Sequence, residues 1–132
     1  MAEQNIIKSY IAAGAITEFA FVTVDTAGKV VVATTPSDAR VVGVAQRAAS
    51  TGDIVDVVVH GLTRVIAGEA IDFTASAILP VECGSLGKAF ANDSAGGYGL
   101  GYILPSSQNL VLADGEQVEI IFNGPKTPLP TP

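Results

Sequence analysis

The clearest signal in the chain is a period of two. In Ile54–Val59, Val55, Val57 and Val59 fall on one side, while Ile54, Asp56, Val58 and His60 fall on the other. In Gln117–Phe122, Val118, Ile120 and Phe122 alternate with Gln117, Glu119 and Ile121. Alternation of this kind is the mark of a strand with one face on a core. Weaker versions predict strands at Phe19–Val24, Lys29–Thr34, Arg40–Ala48, Leu62–Ala67, Ala70–Phe73, Ala77–Val81, Lys88–Asn92, Tyr98–Leu104 and Leu110–Ala113. Between them stand turn residues: Asp25-Thr26-Ala27-Gly28, Thr35-Pro36-Ser37-Asp38, Ser50-Thr51-Gly52-Asp53, Gly61, Gly68-Glu69, Asp93–Gly97 and Asp114-Gly115. No long stretch has a clean helical period. The fold class is therefore all-β, a small barrel or sandwich with short turns.

The turns and strands also repeat. Gly43 aligns with Gly101, Gly52 with Gly115 and Gly61 with Gly124. Asp53 then meets Glu116, Asp56 meets Glu119, and Val55, Val57 and Val59 meet Val118, Ile120 and Phe122. Upstream, Gly28-Lys29 aligns with Gly87-Lys88, and Ala13-Gly14 with Ala67-Gly68. Two similar halves, residues 13–66 and 67–124, make one β domain. Two copies are too few for a solenoid. Flanking them are an N-terminal arm, residues 1–12, and a tail, residues 125–132, rich in proline. Pro105–Asn109 is an insertion in the second half. The arm is polar and irregular apart from Ile6, Ile7, Tyr10 and Ile11, so it suits a docking segment that adds a strand to a neighbour's sheet edge. On that reading, removal of Met1–Lys8 leaves the domain's stability nearly intact.

Composition adds a surface argument. The chain has 132 residues, enough for one domain with a real core. It is 48% hydrophobic and 15% charged, against about 25% charged in an average domain. Mean hydropathy is +0.45. No apolar run approaches the ~18 residues of a membrane helix, so the apolar surplus is expected in contacts between subunits or with a partner. A net charge of −6 with no basic run excludes a phosphate-neutralising patch, and nucleic acid with it. The first residues lack the charged-then-apolar pattern of a signal peptide.

Catalytic chemistry finds few carriers. Cys83 and His60 are the only Cys and His, so neither a disulfide nor a zinc constellation can be assembled. Gly96–Gly101 is glycine-rich, but strand residues and Pro105 follow it rather than the helix a phosphate loop needs. The matched carboxylates Asp53, Asp56, Glu116 and Glu119 are accounted for by turn chemistry and solvent-facing parity. The expectation is a protein without enzymatic activity, catalytic residues, metal or cofactor.

With these residues in view, the chain resembles the decoration, or cement, proteins of tailed-phage capsids. The resemblance is carried by Ala13-Gly14, Val42-Gly43-Val44-Ala45, Gly52-Asp53-Ile54-Val55, and Val57–Gly61 leading to Ala67-Gly68-Glu69-Ala70-Ile71. It spans roughly residues 10–125. It implies a small β domain, tulip-like, that forms a homotrimer on the outer capsid surface of the virion after synthesis in the host cytoplasm. It also implies binding to the major capsid protein and stabilisation of the head, with no nucleic acid or membrane partner. Glu3, Gln4, Asn5, Ile6, Ile7, Lys8, Tyr10 and Ile11 of the arm are the implied capsid contacts. The insertion and the proline tail depart from the pattern. Two other readings compete. A carbohydrate-binding β-sandwich would want aromatic platforms, and there is no Trp and only three Tyr. A biotinyl- or lipoyl-type carrier would display one lysine, whereas Lys29 and Lys88 occupy matching turns.

Overall fold

The computed structural model describes residues 5–35, 40–72, 79–91, 99–103 and 111–124. The turn at 36–38, the insertion at Pro105–Asn109, the Asp93–Gly97 loop, the tail, and Glu3 and Gln4 lie outside the described residues.

Eleven strands are present among the described residues, with no α-helix. They are β1 (Ile6–Ile11), β2 (Phe21–Val24), β3 (Val30–Val32), β4 (Val41–Ala45), β5 (Ile54–Ile66), β6 (Ile71–Asp72), β7 (Leu79–Cys83), β8 (Ala89–Ala91), β9 (Gly101–Ile103), β10 (Val111–Leu112) and β11 (Gln117–Phe122). One short 3-10 turn, Ser85–Gly87, precedes β8. The main sheet runs β3-β2-β4-β5-β11-β9-β7-β8, and β1 pairs β5 off this path. Every strand pair is antiparallel. The sheet curls into a half-barrel, so the all-β class expected from the alternation holds.

β5 differs from expectation. Gly61 does not end a strand. With φ at +124° it lies inside one 13-residue strand, where two separate strands and a turn are predicted. The first half of β5 pairs with β1 and β4, and its second half pairs with β11. The repeat runs through it. Ile11 pairs with Ile54 as Ile66 pairs with Gln117, so β1 corresponds to residues 61–66. Likewise β2, β3 and β4 correspond to β7, β8 and β9, and the first half of β5 corresponds to β11. The seam therefore falls at about Gly61, and Leu62–Ile66 open the second half.

Loop hydrogen bonds repeat with the same offsets. The Ala12 amide donates to the Asp53 carbonyl, as Ala67 does to Glu116, each at 2.8 Å. The Gly52 amide donates to the Ala12 carbonyl, as Gly115 does to Ala67. Ala12-Ala13 is thus the partner of Ala67-Gly68, one residue earlier than the Ala13-Gly14 alignment. The Asp53 carboxylate accepts from the Ser50 amide at 3.0 Å, and the Glu116 carboxylate accepts from the Ala113 amide at 2.6 Å. These two acids hold turns.

The halves have separate cores that differ in composition. Val22, Val30, Ala45, Val55 and Val57 form the first, with Ala12 and Ile16. The second contains Val65, Val81, Ala89, Ile103, Val118, Ile120 and Phe122, and also takes in Phe21, Ala33, Val41 and Val44 from the first half. The Phe21 and Phe122 rings lie 6.2 Å apart at a 40° tilt. Gln46 Nε2 donates to Thr63 Oγ1 across the same junction at 2.9 Å. One face of β2 and β4 thus lines their own core, and the other packs onto the second half.

Gly43 and Gly101 permit the close strand approach in each half. A Cβ on Gly43 would strike the Val58 carbonyl, and one on Gly101 would strike the Ile121 carbonyl. Gly43→Ala and Gly101→Ala should each lower the unfolding free energy by about 1–3 kcal/mol, the usual cost of forcing extra volume into a packed site. Gly14→Ala, where the added carbon meets nothing within 4 Å, should leave it within about 0.5 kcal/mol. Urea unfolding of the three variants checks this.

Candidate interaction surfaces

The expected capsid contacts fall mainly on β1. The arm was expected to be irregular, but Ile6–Ile11 is a strand paired with β5 along its whole length. β1 lacks the alternation of the other strands because Ile6 and Ile7 are adjacent and both point to solvent, at 58% and 57% exposure. The register shifts between them, which lets consecutive residues escape the usual alternation. The backbone of Ile6, Ile7 and Lys8 is thus part of the domain's own sheet rather than of a separate arm.

Asn5 fixes the entry to this strand. Its Nδ2 donates to the Leu62 carbonyl at 2.8 Å, and the Leu62 amide donates to its Oδ1 at 2.9 Å. The side-chain amide acts as one more peptide unit in the ladder. It reaches this position because Gly61 has no side chain, since a Cβ there would overlap Asn5. Lys8 is exposed, and its Nζ sits 5.6 Å from the centre of the Tyr10 ring. Ser9 Oγ donates to the Asp56 carboxylate at 2.9 Å. Ile11 and its partner Ile54 are 45% and 60% exposed. Together Ile6, Ile7, Ile11 and Ile54 place apolar surface along the β1 edge.

A second apolar surface lies at the other end of the sheet. Pro80 pairs with Tyr102, Tyr102 with Ile121, and Ile121 with Leu62, giving one row across β7, β9, β11 and β5. All four are exposed, with Tyr102 at 42% and Ile121 at 39%. No single stretch of sequence shows this row, since successive members along it are 22, 19 and 59 positions apart.

Residues with chemical potential are scattered. Cys83 is buried in the second core, with Sγ 3.3 Å from the Gly84 carbonyl oxygen, whereas His60 is exposed beside Ile6. Among the described residues no three His, Cys, Asp or Glu are placed to hold a metal. A small apolar cleft of about 100 Å³ lies between the halves, lined by Phe19, Ala20, Ile66 and Leu86 among others. That is below the ~300 Å³ at which small-molecule pockets begin. Lys88 Nζ stands 4.0 Å from Asp114, whereas Lys29 follows the exposed β2–β3 turn. The two lysines share a place in the repeat but not an environment. No helix among the described residues is long and apolar enough to cross a membrane.

The class defined by this geometry is a curled antiparallel β domain of two fused half-repeats. A solved structure of that class is the N base of the head fiber protein gp8.5 of bacteriophage phi29. It superposes with a TM-score of 0.68, covering 91% of this chain and 95% of that one at 16% identity. The likeness is one of fold. Neither a protein-family model nor a curated protein sequence matches the chain.

The role assigned to Asn5 can be measured. Asn5→Ala removes two hydrogen bonds at an exposed site and should cost about 1 kcal/mol of stability. Faster amide exchange should be confined to β1 and the Gly61–Leu62 segment, as followed by hydrogen–deuterium exchange.

Proposed function

We propose that this protein is a structural component of a tailed-phage virion. It sits on the outer surface of the head as a homotrimer, binds the major capsid protein and stabilises the shell, and has no enzymatic role. The observation that carries this is the fold likeness to the phi29 head fiber base, complete over nearly the whole of both chains. Two features of the chain support it. Charged residues are few, and apolar side chains are exposed in two separate groups rather than singly. Contiguous apolar patches of this kind mark protein–protein contacts.

The capsid contact is assigned to the β1 edge. A strand at a sheet margin presents unpaired backbone groups, and a partner's strand can add to it. Ile6, Ile7 and Ile11 then supply side-chain burial, each worth roughly 1.5–3 kcal/mol if fully covered. Because β1 is already ordered, this contact does not incur the full cost of folding a free arm, about 1–2 kcal/mol per residue.

The test uses point variants rather than truncation, since truncation removes part of a strand. Ile6→Asp with Ile7→Asp changes two exposed side chains. It should shift the unfolding free energy by no more than about 1 kcal/mol, yet reduce co-sedimentation with purified heads of the cognate phage by at least about 100-fold in apparent affinity. Unchanged head occupancy by a folded double variant would sink the β1 assignment. Failure of the wild-type protein to bind heads at all would sink the virion reading.

A further inference from the structure

The two halves bury the same faces unequally. In the first half, Phe21, Val44, Val58 and Ile7 form a row across β2, β4, β5 and β1. It is the exact counterpart in the repeat of Pro80, Tyr102, Ile121 and Leu62. Phe21 and Val44 are wholly buried and Val58 is 2% exposed. Phe21 and Val44 belong to the core of the second half, with Phe21 close to Phe122. Phe21 and Val44 are therefore seated in the neighbouring half, with Val58 buried beside them and Ile7 57% exposed at the row's end. The second row pairs in the same register, and among the described residues it stands exposed.

The receiving surface shows the complementary asymmetry. In the second half, Val65, Leu100, Leu112 and Phe122 share a core cluster with the inserted Phe21 and Val44 and are at most 5% exposed. Their counterparts in the first half are Tyr10, Val42, Ala49 and Val59. These four pack against the first core but are only partly buried. One half thus has a filled acceptor and an open insertion row in the same molecule, and the other has the reverse.

We infer that the open row of Pro80, Tyr102, Ile121 and Leu62 seats against the Tyr10, Val42, Ala49 and Val59 surface of a second copy of this chain. The occupant is another copy because the junction between the halves already shows this class of row packed on this class of surface, with the same backbone register. The intermolecular contact continues the intramolecular one around the sheet. Such a contact joins unlike surfaces, so repetition closes a ring when the rotation allows it. A ring of three would present six alternating halves and leave the exposed side chains Ile6 and Ile11 of each copy outside the contact. The inference rests on the self-association part of the proposed function, not on the identity of the particle.

The experiment separates unlike from like surfaces. Tyr102→Cys and Tyr10→Cys are made separately in a Cys83→Ser background, and each is treated with a short bis-maleimide, alone and mixed. Cross-linked dimer is expected only in the mixture. Sedimentation equilibrium of the wild-type chain should give three times its 13.4 kDa mass. Ile121→Asp, which changes a 39% exposed residue and should remain folded by circular dichroism, should weaken that assembly at least about tenfold. Cross-linking of Tyr102→Cys with itself would overturn the pairing in favour of a symmetric contact. An intact wild-type trimer with no cross-link in the mixture and no effect of Ile121→Asp would overturn the faces while leaving self-association in place. A monomer that still occupies phage heads would overturn self-association and spare the virion reading.

Discussion

Pairing along β5 is the constraint on which the rest of the fold depends. Thirteen residues of one strand serve two sheet neighbourhoods in succession: β1 and β4 over Ile54–His60, then β11 over Gly61–Ile66. The strand closes the first half and opens the second without a break, so the halves cannot move as independent domains. Gly61 makes this possible. A residue with a side chain would be strained at its φ of +124° and would expel Asn5 from the ladder. Backbone hydrogen bonds that would otherwise be lost at the seam are replaced by the two made by Asn5.

From that seam follows a directional packing of one half on the other. A sheet with one covered face would bury Val22, Val55 and Val57 and leave Phe21, Val44 and Val58 to solvent. Here the curl folds the first half's far face into the second half, and Val58 becomes buried although its alternation marks it as outward. The aromatic pair Phe21–Phe122 fills the space between two layers otherwise built mainly of Val, Ile, Ala and Leu. Large rings are needed at this junction because small β-branched residues on both sides would leave voids, each costly in lost contacts.

Much of this was legible in the sequence. Alternation in Ile54–Val59 and Gln117–Phe122 gave the right inner faces, and the glycine matches Gly43–Gly101 and Gly52–Gly115 fell on equivalent positions of the fold. Three features escaped for physical reasons. Gly61 was read as a turn because glycine with positive φ is commonest there, and only Asn5, 56 positions away, explains it inside a strand. β1 was read as irregular because a register shift spoils its alternation. Strand β7 runs through Pro80 and past the predicted Ala77–Val81 to Cys83. The apolar row was invisible for a different reason: its four members come from four strands, and only the register brings them together.

Exposure of an apolar side chain is by itself weak evidence, since over half of any protein surface is apolar. What gives weight to Tyr102 and Ile121 is the internal control supplied by the repeat. In the same register, Phe21, Val44 and Val58 are buried in one half, whereas Pro80, Tyr102 and Ile121 are open in the other. Strand register is common to both, so the difference lies in what each half has beside it. The first half has the second packed against it, through Phe21 and Val44. The apolar surplus noted from composition therefore has a definite address, on the row across β7, β9, β11 and β5. The β1 edge adds an independent apolar address on another strand. A protein carrying both can hold its own kind and a larger surface at once, and several copies linked in one ring would hold that surface at high effective concentration through contacts that are individually modest.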